Sequence, residues 1–291
     1  MPEYTWWSGG QVEYLDTRDG RVAYRFWPES RDAKKTLLGI HGLGGNNDNY
    51  VALGEALKPE VAVYAIDLAG NGESGTRGDV ESCEVHMRNL DTLADLIQAR
   101  HASRDAAHFV AGYSLGAAYA LAWVARNGQA VRGMILFAPP FRTVFHIPRV
   151  LDLAFRALSS LMPRYRVPTG IRAEDGLDPR YEFEMESDKF IRARTLRSLK
   201  ISADMVPLGK RALPGITIPT LIVHGDADSV AFPESAALAY ERSGAADKTL
   251  VWIPGAKHDL HDVLSGVRCS EVSDDQRAPV IAAVREWLDR H

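Results

Sequence analysis

The chain has 291 residues, of which 46% are apolar and 25% charged, with a formal charge of −4 and a pI near 6.1. That is the composition of an ordinary globular protein, long enough to bury a core without staples. It leaves no footprint for nucleic acid, which calls for a basic stripe or domain. Cys83 and Cys269 make neither a disulfide framework nor a zinc-ligand set. No run approaches the roughly 18 apolar residues of a membrane span, and the first ten residues lack a secretory leader pattern. The expected location is therefore the cytoplasm.

In chain order, Val12-Glu13-Tyr14-Leu15 and Val22-Ala23-Tyr24-Arg25-Phe26 alternate around Asp19-Gly20, which predicts a β-hairpin. The pattern then changes to short continuous apolar runs: residues 36–40, 61–66, 108–111, 134–137, 221–223 and 250–253. Runs without alternation suit strands covered on both faces, as in a parallel sheet. Helical spacing appears from Met87 to Arg100, from Leu115 to Asn127 with Gly128 as its C′ residue, and from about Ala278 to Leu288. Strands alternating with helices predict an open α/β sheet. Residues 143–213 break the rhythm. They offer no convincing buried strand, but Ile147, Val150, Leu151, Ala154, Phe155, Leu158 and Leu161 lie at helical spacing. This segment reads as a mainly helical cap inserted into a core domain of residues 1–142 and 214–291.

Gly112-Tyr113-Ser114-Leu115-Gly116 is a G-x-S-x-G motif between a predicted strand and a predicted helix, the context that gives the motif meaning. A sharp strand-to-helix turn lifts the Ser114 hydroxyl off the sheet edge as a nucleophile. Side chains two residues to either side would collide there, and glycine removes the collision. His41-Gly42-Leu43-Gly44-Gly45 follows the run ending at Ile40. Its Leu43 N–H, with the Leu115 N–H at the helix start, is the expected pair of donors to an oxyanion. His41 is expected to bond within its own loop.

Such a nucleophile takes its acid and then its histidine from later in the chain. Residues 221–223 run into a loop holding Asp226 and Asp228, and residues 250–253 run into a loop holding His258 and His261. His258, nearer its strand, is the expected base. Asp226 and Asp228 compete for the acid, and His224 is expected to pack at its strand end.

Together these blocks, with Asp67-Leu68-Ala69-Gly70-Asn71-Gly72-Glu73-Ser74, resemble the monoacylglycerol lipase and lysophospholipase branch of the α/β-hydrolases, which also contains many bacterial carboxylesterases. The resemblance covers nearly all of the chain outside the cap. It implies the α/β-hydrolase fold: a mostly parallel central sheet flanked by helices. It favours Asp228 as the acid and gives the Asp67 block a structural role. Asn71 departs from the histidine common before Gly72 in that family. The implied activity is hydrolysis of a small-molecule carboxylic ester such as a monoacylglycerol or lysophospholipid, through Ser114, His258 and Asp228, without metal or cofactor. The apolar stripe of the cap could line an acyl channel, pack on the body or touch a lipid surface. The same triad could serve thioester, amide or carbon–carbon bond hydrolysis or acyl transfer, and a binding protein on this fold is a further alternative.

Overall fold

The computed structural model describes residues 2–127, 131–144, 148–168 and 180–291. Gly128 and Ile147, singled out above, lie outside them. A short strand β1 (Tyr4–Trp6) precedes the hairpin of β2 (Gln11–Thr17) and β3 (Gly20–Phe26), which pair antiparallel with Thr17 opposite Gly20. Then follow β4 (Lys35–Ile40), α1 (Val51–Leu57), β5 (Val61–Ile66), α2 (Cys83–His101), β6 (Ala107–Tyr113), α3 (Leu115–Asn127) and β7 (Gly133–Phe137). The segment predicted as a cap holds α4 (Arg149–Leu161), β8 (Arg166–Pro168), α5 (Arg180–Met185), β9 (Ala193–Thr195) and α6 (Leu196–Ala212). The chain returns through β10 (Thr220–Gly225), α7 (Glu234–Arg242), β11 (Lys248–Ile253), β12 (Val267–Cys269) and α8 (Asp274–Arg290).

Eight strands form one sheet in the order β11-β10-β7-β6-β4-β5-β3-β2. All pairs from β11 to β5 are parallel, while β3 pairs antiparallel with β5 and with β2. Every residue of β5, β7 and β10 is buried, which is why these runs carry no polar alternation. The run at β11 differs: it is an edge strand with Trp252 exposed. Leu90, Leu93 and Trp123 of α2 and α3 pack into one layer of the core, and Leu53, Val284 and Trp287 of α1 and α8 into the other. From β4 the chain turns one way to β5, then returns past β4 to β6 and onward. The carboxyl ends of β4 and β6 thus flank a topological switch point, where open α/β sheets place their ligands.

The inserted segment meets the body through α6. A Cβ on Gly209 would lie 2.7 Å from the Ala118 Cα, so glycine lets the α6 backbone approach α3. Helix α4 rests on α6, with Arg156 bonding Asp204 at 2.6 Å. The apolar stripe is mostly uncovered: of its described residues only Phe155 is half-buried, and the others are exposed. Only Ser159 of α4 is buried, while Val150, Leu153 and Leu161 are 76%, 67% and 81% exposed. The segment also holds a short antiparallel ribbon, β8 with β9, which is too brief to leave a period in the sequence. Helix α8 starts earlier than its apolar spacing suggests because Ser273 and Gln276 form a capping box. The pairing of β1 with β12 left no local signal, since Tyr4 meets Cys269 from the far end of the chain.

Candidate active site

Ser114 stands at the junction of β6 and α3 with φ +51°, a left-handed conformation that costs a non-glycine residue energy and marks sites where the surroundings impose it. Those surroundings are tight. The Ser114 N–H donates to the Phe137 carbonyl at 2.8 Å. A Cβ on Gly112 would sit 2.3 Å from the Gly116 oxygen, and one on Gly116 would sit 2.1 Å from the Ile40 oxygen. The turn therefore closes only with glycine at both places.

The loops after β10 and β11 bring the other two side chains to this point. The Ser114 hydroxyl lies 2.9 Å from His258 Nε2, and His258 Nδ1 lies 2.8 Å from Asp228 Oδ2. The second carboxylate oxygen of Asp228 accepts the Val230 and Ala231 N–H groups at 2.8 and 2.9 Å. Asp228 and His258 are buried, and Ser114 is half-buried. Asp226 points elsewhere, accepting the Gly255 N–H at 2.6 Å to tie the two loops together. His261 is turned to the Pro254 carbonyl. His224 is sealed at its strand end, 2.8 Å from the Ala231 carbonyl and 3.4 Å from Asp228.

The loop after β4 lies against the serine, since a Cβ on Gly42 would be 3.2 Å from the Ser114 Cβ. Neither the Leu43 N–H nor the Leu115 N–H, at the first position of α3, has an acceptor among the described residues. The N-terminus of α3 adds its dipole there. His41 supports this loop from below. Its Nδ1 faces the Gly42 carbonyl at 2.7 Å and its Nε2 accepts the Leu68 N–H at 3.1 Å. Burial pushes its pKa down to about 4, so the ring is neutral at pH 7. Asp67 holds the next loop by accepting the Asn47 and Glu73 N–H groups at 2.5 and 2.8 Å. Burial pushes its pKa up to about 7.

Sequence reasoning missed the anchor of the histidine loop. Leu260, His261 and Asp262 all have φ between 54° and 58°, three left-handed residues in a row. Asp262 is fully buried and paired with Arg277 of α8 at 2.6 and 2.8 Å, and it also accepts the Cys269 N–H. That charged knot offsets the backbone cost. Acid and partner lie 15 residues apart, and nothing in their spacing marks them as a pair.

A cavity of about 220 Å³ opens on Ser114, Leu43 and His258. Its apolar wall comes from Tyr113, Met185, Phe190, Ile191, Leu199 and Leu264. The inserted segment supplies Met185, Phe190, Ile191 and Leu199, and none of the wall belongs to α4. Among the described residues no group of three His, Cys, Asp or Glu side chains could hold a metal ion, and no helix is long and apolar enough to cross a membrane.

Comparisons with known proteins agree with this architecture. The family model for serine aminopeptidase, S33 (Hydrolase_4) matches residues 31–262. Mouse monoglyceride lipase is 29% identical over 289 residues, covering 95% of this chain and 90% of its own. A monoacylglycerol lipase of Mycolicibacterium smegmatis is 24% identical over 282 residues, covering 93% and 94%. Among solved structures, a soluble variant of monoglyceride lipase from Saccharomyces cerevisiae, in complex with a substrate analog, superposes with a TM-score of 0.81 at 19% identity, covering 98% and 96%. The chain belongs to the Hydrolase_4 family, serine aminopeptidase S33, and is a serine ester hydrolase of the α/β-hydrolase fold.

Proposed function

We propose that Ser114 is the nucleophile, His258 the general base and Asp228 the orienting acid of an enzyme that cleaves carboxylic esters of the monoacylglycerol or lysophospholipid kind. The observation that carries this reading is the unbroken chain from Asp228 through His258 to Ser114, at 2.8 and 2.9 Å, opening on one cavity. His258 takes the Ser114 proton as the oxygen attacks the ester carbonyl. Asp228 accepts from Nδ1, fixing the tautomer that leaves Nε2 free to act and stabilising the imidazolium. The free Leu43 and Leu115 N–H groups serve as donors to the oxyanion, where one such donor contributes roughly 2.7–4 kcal/mol to the barrier. His258 then protonates the leaving alcohol. Water repeats the sequence and releases the acid and the free serine.

The substrate class rests on the relatives, monoglyceride lipase of mouse and monoacylglycerol lipase of M. smegmatis, and on the apolar cavity wall. Residues 143–213 act as its cap. The uncovered Val150, Leu151, Leu153, Leu158 and Leu161 of α4 are suited to rest on a lipid surface that presents such esters, as an amphipathic helix does. The test is hydrolysis of a monoacylglycerol series and matched p-nitrophenyl esters by the wild type and by Ser114→Ala, Asp228→Asn and His258→Ala. Turnover by the wild type with loss in all three variants is expected. Undiminished turnover by Ser114→Ala would overturn the assignment.

A further inference from the structure

The cavity contains a charge that the proposed chemistry does not use. Arg194, on β9, lines the same cavity as Ser114 and is only 4% exposed. Its one polar partner among the described residues is neutral: Nη2 donates to Asn71 Oδ1 at 2.6 Å. No carboxylate among the described residues pairs with it. Asp48, also on the cavity wall, is already held by Arg25 at 2.6 Å and by Lys189 at 2.8 Å. Glu184 accepts the Ser265 hydroxyl at 2.7 Å. The groups Arg194 influences most are uncharged. His41 and His86 are both neutral at pH 7, with burial pushing them to about 4 and about 3, and the Arg194 charge adds to that depression. Burial likewise pulls Arg194 down, to about 10, and still leaves it charged at neutral pH.

A guanidinium has five N–H donors in a rigid fork, and Asn71 takes only one nitrogen. Burying a charge without an opposite one is costly, and breaking a buried pair is costly because it leaves such a charge behind. Buried charges are otherwise paired or hydrogen-bonded throughout proteins. Another buried arginine, Arg277, has its acid in Asp262. In the cavity no carboxylate among the described residues supplies the counter-ion, and Arg194 lines the same space that opens on Ser114.

We infer that Arg194 receives an anionic substituent of the substrate, a carboxylate or a phosphate group, carried on the ester that Ser114 attacks. This deepens the ester-hydrolase reading and rests on it. Carboxylates and phosphates match the fork in geometry and charge. Arg194 is itself almost wholly buried, so the contact discriminates charged from neutral esters of equal size. The role of Asn71 follows. It holds the guanidinium from behind while its own Nδ2 bonds the Leu68 and Ala69 carbonyls, fixing the arginine to the body across the cap boundary.

The competing role for Arg194 is a clamp that only joins the cap to Asn71. Rates of kcat/KM separate the two, measured on 4-nitrophenyl hydrogen glutarate and adipate, on their neutral methyl esters, and on a phosphate-terminated ester of the same length. The expected wild-type result is a preference of roughly tenfold to a hundredfold for one of the anionic forms, the range a charge-assisted hydrogen bond provides. Arg194→Met abolishes that preference, and Asn71→Ala retains most of it. The carboxylate and phosphate arms identify which anion is recognised. Equal or better turnover of the methyl esters by the wild type overturns the proposal, as does loss of the preference in Asn71→Ala as complete as in Arg194→Met. The wild-type ratio and Asn71→Ala decide the matter even where Arg194→Met does not fold. Calorimetric binding of ethyl hydrogen glutarate and of a phosphate monoester to Ser114→Ala reads the same contact without turnover. Failure of Ser114 as nucleophile is thereby distinguished from failure of Arg194 as anion receptor.

Discussion

The sheet edge that carries Ser114 and the segment above it handle their side chains in opposite ways. At the edge, the charged groups that hold the candidate triad find partners within the protein: Asp228 with His258 and two backbone amides, and Asp262 with Arg277. In the inserted segment, Arg194 is buried with an amide as its one side-chain hydrogen-bond partner among the described residues, and α4 leaves large apolar side chains in water. A network closed on itself fixes geometry, which catalysis requires. On the readings proposed above, these unmatched groups are met from outside the chain, Arg194 by an anion and α4 by a lipid surface.

Four perturbations sharpen this contrast, taken from the largest effect to the smallest. Ser114→Ala is expected to lower kcat by about 10³-fold or more, close to the combined removal of Ser114 and His258, because the groups act as a unit. Multiplicative losses in the double variant would contradict the relay. Arg277→Met leaves Asp262 buried and unpaired, and about 3–5 kcal/mol of stability should be lost, read as a lower urea midpoint. A loss below about 1 kcal/mol would mean that the three left-handed residues of the histidine loop do not depend on the knot.

The third concerns acid. His41 and His86 are buried neutral, with folded pKa values of about 4 and about 3 against 6.5 when exposed. Because their folded values are depressed, the unfolded chain binds their protons first. Stability is therefore complete above pH 6.5 and falls as pH drops toward 4, by roughly 1.4 kcal/mol per pH unit for each group. Asp67, raised to about 7, acts with the opposite sign, losing stability as pH rises from about 3.9 to 7. His86→Phe keeps an aromatic ring against Tyr119 and should reduce the acid loss between pH 6.5 and 4. An unchanged slope in urea melts would remove His86 from the account. Finally, Val150→Ser with Leu153→Ser and Leu161→Ser should shift stability by no more than about 0.5 kcal/mol per site, as expected of exposed positions. The same variant should bind phospholipid vesicles less well. A large fall in melting temperature would show that α4 is packed rather than presented.

The contrast also explains what could be read without the structure. The strands were legible because burial on both faces leaves unbroken apolar runs. The candidates Ser114, Asp226, Asp228 and His258 could be proposed because each follows such a run, and G-x-S-x-G answers a local steric demand; the family resemblance favoured Asp228 over Asp226. Leu43 could be proposed through its glycine-rich turn. Arg194 was not legible, because an arginine in sequence reads as surface, and its burial and its bond to Asn71, 123 residues away, leave no local pattern. The stripe on α4 was visible as a period, but the period does not say whether protein or solvent lies opposite. The Asp262 and Arg277 pair and the β1–β12 pairing depend on long-range closure that no local pattern encodes.

The claim on which the rest depends is that Ser114 carries the acyl group during turnover. Intact-mass and peptide analysis after brief exposure to a fluorophosphonate and, separately, to a slowly deacylating p-nitrophenyl ester tests it most directly. The account predicts one adduct per chain, located on Ser114, formed in the wild type, strongly slowed in His258→Ala and absent in Ser114→Ala. An adduct on another residue, or ester turnover by folded protein without modification of Ser114, would contradict it.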